Sequence, residues 1–526
     1  MKQLAQKNIL VLGLGASGLA LARWCVRWGA QVTVADTRAA PPQLEALHTS
    51  VPAARFVNAE MNEALLATAA FDMVLKSPGL SPASVAGVIT AAEAGGIACG
   101  NELSLFAQAL ADLKEDRAYA PRVIGITGTN GKTTVTSLTA QLVQRAGKSV
   151  AVAGNIGPTL LDTLAEKLDG NMEGKVLPDV WVLELSSFQL DRVTNFEPSV
   201  ATVLNITQDH LDWHETLPAY IAAKAHVYGS AGLMLLNRND PLVMAALPPL
   251  VKGRQLRDYL TFGNDEPQRP GDYGIETASG MAWLVRAAEA DETIKVRRPH
   301  ARQLAAPQGG VHALGRPGGV QSKDEEVVLH IQRLMPLDAL RIRGRHNATN
   351  ALAALGLAVA VDCALAPMLH GLREYRGEPH RVESVAVVNE VEYFDDSKGT
   401  NVGATAAALA GLGAERKLVL ILGGEGKGQD FSPLAEPVSR HARAVVLIGR
   451  DAPLIRAALQ ASHVPLLDAT SMPEAVAMAA QQAQTGDAVL MSPACASFDM
   501  FDNYEHRAQV FCEAVQALAR EQGAVL

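Results

Sequence analysis

The residues Gly128-Thr129-Asn130-Gly131-Lys132-Thr133-Thr134 follow the apolar run Arg122 to Ile126 and open a helical pattern through Leu138 and Leu142. A strand that breaks into a glycine turn and then a helix aims backbone N–H groups at an anion, and Lys132 adds a positive charge there. The Thr133 hydroxyl stands where Mg²⁺ needs a hard oxygen ligand. An ordinary Gly-rich turn would leave the lysine and both threonines without a reason. Five residues, not the usual four, separate Gly125 from Gly131, so the phosphate loop is a variant one.

Other groupings are less decisive. Gly13-x-Gly15-x-x-Gly18 after the strand Asn8–Leu12, with Asp36 at the end of the next strand, has the dinucleotide-binding pattern. Its glycines require only a diphosphate, so a nicotinamide dinucleotide, a UDP group or a structural turn all satisfy it. The strand ending at Glu184 places a carboxylate beside the phosphate loop, as a Mg²⁺ ligand or a capping group. His210, after Asn205, is a second candidate ligand or a structural histidine. Lys224 lies on a helix, where a lysine ordinarily extends to solvent. Three polar turns follow strands of the last third: Asp395 to Asn401, Gly423 to Lys427 and Ser492 to Phe498. Such strand ends are where parallel sheets present their sites.

These motifs need a frame. At 526 residues the chain exceeds one core, and short apolar strands alternate with helical patterns in three blocks. The expected fold is α/β with three domains: a Rossmann-like N-terminal domain (1–115), a P-loop ATPase-like central domain (116–371) and a Rossmann-like C-terminal domain (372–526). Ala111 to Pro121 reads as a polar linker, and Val385 to Asp395 as a hairpin turning at Asn389-Glu390. Residues 264–324, rich in Pro, Gly, Arg and Gln and with one strand-like run at Met281–Arg286, read as a surface insertion of the central domain. Its basic cluster Arg297 to Arg302 reads as a solvated loop, since no aromatics interleave the charges.

A net charge of −9 argues against a surface devoted to nucleic acid. Cys25, Cys99, Cys363, Cys495 and Cys512 lack C-x-x-C spacing, as expected of reduced thiols in a cytoplasmic protein. Neither a signal-peptide pattern nor a membrane-length apolar run is seen, so no membrane insertion is expected.

Taken together the motifs resemble the Mur ligases over nearly the whole chain outside 264–324. The variant phosphate loop, Glu184-Leu-Ser-Ser-Phe-Gln189, Asn205 with Asp209-His210-Leu-Asp212, His346-Asn347-x-x-Asn350 and Pro379-His380-Arg381 occur in family order. Gly13-x-Gly15-x-Ser17-Gly18, Ser77-Pro78-Gly79, Asp396-Ser-Lys398-x-Thr400-Asn401 and Ser492 to Phe498 resemble the D-glutamate-adding branch. The Asp-Asn-Pro-Arg motif of relatives that add diaminopimelate or lysine is absent.

The resemblance implies an ATP-dependent ligase joining UDP-N-acetylmuramoyl-L-alanine to D-glutamate through an acyl phosphate and a tetrahedral intermediate, in peptidoglycan precursor synthesis. It implies Gly128, Thr129, Asn130, Gly131, Lys132, Thr133, Thr134, Asn155, Asn347, Asn350, Arg381 and Asp396 for ATP. Two Mg²⁺ ions would be held by Thr133 and by Glu184, His210 and Lys224, the last as a CO₂-derived carbamate. Gly15, Ser17, Asp36, Thr37, Ser77 and Gly79 would hold the UDP end. His380, Lys398, Thr400, Lys427, Ser497, Phe498 and Tyr504 would orient D-glutamate. Catalysis would rest on Lys132, Glu184, His210, Lys224 and Lys398. Tyr504 departs from the phenylalanine that relatives often carry. A monomer is expected. The competing readings are an NAD-dependent oxidoreductase built on the first block and a non-catalytic UDP-sugar-binding protein.

Overall fold

Apolar runs with no polar alternation become central strands, because parallel strands covered on both faces have no solvent side. The computed structural model describes residues 2–289, 329–414 and 416–523. In the first block β1 (Asn8–Leu12), β2 (Gln31–Asp36), β3 (Arg55–Asn58), β4 (Met73–Lys76) and β5 (Ala98–Asn101) form a parallel sheet, ordered β3-β2-β1-β4-β5. The order reverses at β1, so the glycine turn after Leu12 lies in the crevice where such sheets bind ligands.

The second block repeats this with β6 (Arg122–Thr127), β7 (Val150–Gly154), β8 (Val180–Glu184), β9 (Val200–Val203), β10 (Leu233–Asn237) and β11 (Tyr259–Phe262). Their order is β11-β10-β9-β6-β8-β7, all parallel, and β6 between β8 and β9 delivers the phosphate loop. An antiparallel sheet follows, of β12 (Tyr273–Ala278), β13 (Met281–Glu289) and β14 (Leu329–Pro336). In the third block β15 (Glu383–Val388), β16 (Val391–Asp395), β17 (Leu418–Gly423), β18 (Ala442–Ile448), β19 (Leu466–Asp468) and β20 (Ala488–Met491) are ordered β15-β16-β20-β17-β18-β19. Only β15 runs antiparallel there, through the expected hairpin, with Asn389 and Glu390 both at positive φ.

The first two blocks share one hydrophobic core. Helices Ala16–Arg27 and Glu102–Arg117 pack on helix Leu160–Met172, and Phe106 meets Trp181 edge-on at 5.1 Å. The third block has separate cores on the two faces of its sheet.

Two expectations are corrected. The stretch Ala111 to Pro121 is mostly helix, because Leu113 is fully buried while the charged residues around it take the solvent face. Residues 264–289 are no surface ornament. Tyr273 and Leu284 are fully buried in the core behind helix Arg345–Ala360, and the Asp272 carboxylate accepts the Thr261 amide at 2.7 Å. The strand-like run Met281–Arg286 lies in β13, whereas β12 and the Ser279-Gly280 turn between them were hidden by the polar composition. The cluster Arg297 to Arg302 lies outside the described residues. Among the described residues the five cysteines are free, and no helix is long and apolar enough to cross a membrane.

Candidate functional site

The loop after β6 is held by its neighbours. Asn205 accepts the Asn130 amide at 2.8 Å through its side chain and the Thr129 amide at 3.0 Å through its carbonyl. Thr129 Oγ1 lies 3.0 Å from the Tyr220 hydroxyl. Gly131 has φ +82°, and a Cβ there would stand 2.8 Å from Asn350 Oδ1, so the loop requires glycine against that asparagine. Lys132 folds back to donate to the carbonyls of Gly128 and Thr129, each at 2.9 Å.

Lys224 does not reach solvent as helical lysines ordinarily do. It is 2 % exposed and donates to the same Gly128 carbonyl at 2.9 Å, with Thr127 Oγ1 at 3.4 Å. Burial, then the charge of Lys132, pushes its pKa well below the ordinary lysine value. Burial also lowers that of Lys132, against the pull of Glu184.

Glu184, at the end of β8, is buried; its Oε1 accepts Asn155 Nδ2 at 2.9 Å and its Oε2 has no hydrogen-bond partner. An orphaned buried carboxylate oxygen beside a phosphate loop fits a hard cation. His210 adopts a left-handed backbone (φ +53°) and packs against Phe188 at 4.8 Å. Desolvation, with Lys132 and Lys224 assisting and Asp209 opposing, lowers its pKa, which keeps the imidazole neutral as a ligand must be.

The third block reaches this loop. Arg381 Nη2 donates to Thr133 Oγ1 at 2.7 Å, and the Asn130 and Asn401 amides pair at 3.1 Å. Between them opens a cavity of about 370 Å³, lined by Asn130, Gly131, Thr134, Asn347, Asn350, Arg381, Asp396 and Lys398, with Leu204 and Phe262 as apolar walls. Asp396 is buried and accepts Ser492 Oγ at 2.6 Å; burial pushes its pKa up to about 7.

The other third-block residues lie at strand ends. Lys398 Nζ stands 3.6 Å over the Tyr504 ring, and burial, then Arg381, lowers its pKa. Burial pushes the Tyr504 phenol up to about 12. His380 Nδ1 meets Asp395 at 2.7 Å, and Thr400 lies in the turn after Lys398. Ser497 is buried, whereas Phe498 is 65 % exposed with Lys427 Nζ 5.8 Å from its ring.

At the first sheet, Gly15 caps helix Ala16–Arg27, with Ser17 in its first turn. A Cβ on Gly18 would overlap the Gly13 carbonyl, and Ser77 is buried on the Leu12 carbonyl. Thr37 and Gly79 are exposed. Asp36 is engaged at both oxygens: Oδ2 accepts the Leu14 amide at 2.8 Å, and Arg38 grips both. The Arg38 hydrogen bond, first among the causes, holds its pKa down to about 2.

Sequence reading missed Arg38, whose exposed guanidinium rims this turn, and Arg507. Arg507 is fully buried and donates to the Ser397 hydroxyl and the carbonyls of Ser397 and Cys495, bracing two of the strand-end turns together. An arginine on the amphipathic helix Tyr504–Glu521 carries no local sign of that role.

Three family models match in order: Mur ligase MurD-like, N-terminal domain over residues 7–100; Mur ligase middle domain over 126–295; and Mur ligase, glutamate ligase domain over 380–495. The chain is 64 % identical to a UDP-N-acetylmuramoylalanine--D-glutamate ligase of Albidiferax ferrireducens, covering 100 % of this chain and 99 % of that protein. It is 59 % identical to the protein of that name from Polaromonas sp., with 100 % of each covered. The chain belongs to the Mur ligase family. Solved Mur ligase structures share its fold. MurF ligase from Thermotoga maritima in complex with ADP superposes with a TM-score of 0.54 at 14 % identity, covering 99 % of this chain and 97 % of that one. A pseudomurein peptide ligase type C from Methanothermus fervidus gives 0.52 at 16 %, covering 98 % and 100 %.

Proposed function

We infer that this Mur ligase adds D-glutamate to UDP-N-acetylmuramoyl-L-alanine with ATP, in peptidoglycan precursor synthesis. The reading rests on the Arg381–Thr133 bond, which brings the block bearing Lys398 and Tyr504 onto the phosphate loop. A hydride-transfer reading leaves that junction without purpose.

In this reading residues 1–115 bind the UDP substrate, 116–371 bind ATP, and 372–526 bind D-glutamate and complete the ATP site, in a cytoplasmic monomer. The alanine carboxylate attacks the γ-phosphate, its oxygen gaining the phosphorus bond as ADP leaves. The glutamate amine then attacks the acyl carbon, and phosphate departs from the tetrahedral intermediate. A carboxylate is a poor electrophile until its oxygen becomes a leaving group. Lys132, Lys398 and Lys427 answer the negative charge that triphosphate and two carboxylates bring together.

Asn347, Asn350, Arg381 and Asp396 line the cavity proposed for the nucleotide. Thr133 would hold one Mg²⁺, and Glu184, His210 and Lys224 a second. When bound, the ions neutralise phosphate charge as it develops in the transition state. As a neutral amine Lys224 would form a nitrogen–carbon bond to CO₂ and release one proton, becoming an anionic oxygen ligand in place of an ammonium that cannot bind a cation. Gly15, Ser17, Thr37, Ser77 and Gly79, with Asp36 bracing their loop, would seat the UDP end. Thr400, Ser497, Phe498 and Tyr504 would flank the amino acid.

The deciding experiment is phosphate release from Mg-ATP and UDP-N-acetylmuramoyl-L-alanine with D-glutamate, L-glutamate, L-alanine or no amino acid. Turnover with D-glutamate alone, and a product heavier by one glutamate residue, is expected. Turnover with another amino acid would change the assigned substrate, and none at all would end the ligase reading.

A further inference from the structure

We propose that His380, held by Asp395, accepts the proton that the incoming amino acid must lose before its nitrogen can attack. The proposal rests on the ligase reading above. An amino acid arrives as an ammonium ion, which has no lone pair, so some group at the amino-acid side of the site must take a proton. The neighbouring side chains are poorly suited. Lys398 Nζ is engaged on the face of the Tyr504 ring, the Tyr504 phenol is pushed up to about 12, and Asp395 and Asp396 are buried and hydrogen-bonded to His380 and Ser492.

His380 is arranged differently. Its Nδ1 lies 2.7 Å from Asp395 Oδ2, and Asp395 is fully buried with its other oxygen on the Ser397 amide at 2.9 Å. A carboxylate fixed at Nδ1 selects the tautomer that carries hydrogen there and leaves the Nε2 lone pair available. Among the described residues Nε2 makes no hydrogen bond, and the side chain is 28 % exposed.

The backbone supports a dedicated placement. His380 and Val382 both have positive φ, +62° and +52°, a backbone that non-glycine residues adopt only against steric cost. Three bonds hold the turn: the His380 amide to Glu383 at 2.9 Å, the Lys398 amide to the His380 carbonyl at 3.2 Å, and the Val382 amide to Asp396 at 3.3 Å. The strained turn sets adjacent residues to two tasks. Arg381 meets the phosphate loop at Thr133, while the His380 ring meets Tyr504 edge-on at 6.1 Å, the same ring that carries the Lys398 ammonium on its face.

In the step, an N–H bond of the ammonium breaks and its proton passes to Nε2. The freed pair forms the C–N bond at the acyl carbon. As the tetrahedral intermediate collapses, the C–O bond breaks and the phosphate carries away the second nitrogen proton. Asp395 stabilises the imidazolium, which then returns its proton to water. The carboxylates of Asp395 and Glu383 face the ring, Arg381 adjoins it in the chain, and Tyr504 with Lys398 on its face lies across from it.

The test compares two nucleophiles in the full-length enzyme carrying His380→Gln or the isosteric Asp395→Asn. D-glutamate needs deprotonation, whereas hydroxylamine is unprotonated at neutral pH and attacks the acyl phosphate to give a hydroxamate. Turnover with D-glutamate should fall about 100-fold or more, the scale of a lost general base, while hydroxamate formation persists at the wild-type rate. Parallel loss with both nucleophiles, or retained D-glutamate turnover in His380→Gln, would overturn the proposal. Wild-type enzyme inactive with D-glutamate would instead remove the ligase reading.

Discussion

Lys132 and Lys224 donate to one carbonyl oxygen, that of Gly128, each at 2.9 Å. Two ammonium ions so close in a buried site repel strongly, and the system relaxes by discharging one of them. Lys224 is the one that burial pushes furthest from its ordinary value. A buried amine whose pKa is pushed well below the ordinary lysine value is more readily the neutral form that reacts with CO₂.

Activity should fall in decarbonated buffer and return with bicarbonate, and carbon-13 bicarbonate should give a carbamate resonance. Lys224→Arg should abolish both responses and lower turnover about 100-fold or more, the scale of a lost electrostatic contact to the transferring phosphoryl group. A wild-type enzyme indifferent to CO₂ would refute the carbamate.

Gly131→Ala tests the phosphate loop. The added methyl would stand 2.8 Å from Asn350 Oδ1 on a backbone at φ +82°. Both effects act on the loop rather than on a core, so the melting temperature should change little. The expected result is a KM for ATP raised about tenfold or more, equivalent to roughly 1.4 kcal/mol of lost binding. Titration with an ATP analogue by calorimetry checks it.

How much of this was legible in the sequence depended on where each signal lay. The phosphate loop and the Val385–Asp395 hairpin were readable because glycine spacing and an Asn-Glu turn act within a few residues. Lys224 was not. Its burial depends on a helix docking over β6, a contact between residues 96 apart. Asp36 was recognised as a site residue, but its carboxylate is also spent on Leu14 and Arg38, which spacing does not reveal. Composition misled at 264–289, where polar residues decorate a hairpin whose alternate side chains are buried.

Glu102 makes stability depend on pH. It is 1 % exposed, and Oε1 accepts the Leu161 amide at 3.0 Å. Burial pushes its pKa from 4.5 up to about 7. Between those values the folded chain keeps a proton that the unfolded chain has lost. Its contribution to stability therefore falls as pH rises from 4.5 to about 7 and is flat above. Glu102→Gln should gain up to about 3 kcal/mol above pH 7, and nothing below pH 4.5. Thermal melts across that range should show the wild-type and variant curves converging in acid. Parallel curves would contradict the assignment.

Arg381 joins the third block to the phosphate loop. Its guanidinium donates to Thr133 at 2.7 Å, and its charge acts on Lys132, Asp396 and Lys398 together. It rests on a hydroxyl that would turn to metal and phosphate once nucleotide enters, so the fold does not depend on it. Arg381→Ala should leave the melting temperature nearly unchanged without nucleotide. It should weaken ATP by about 1.5–3 kcal/mol, the worth of a charge-assisted hydrogen bond, or roughly tenfold to a hundredfold in KM. Arg381→Lys should recover only part, because an ammonium restores the charge but not the planar fork that reaches two oxygens. The same substitutions should leave binding of the UDP substrate unaltered, since its proposed site lies on the first sheet. Loss of UDP-substrate affinity in Arg381→Ala would show that the third block contributes to that site as well.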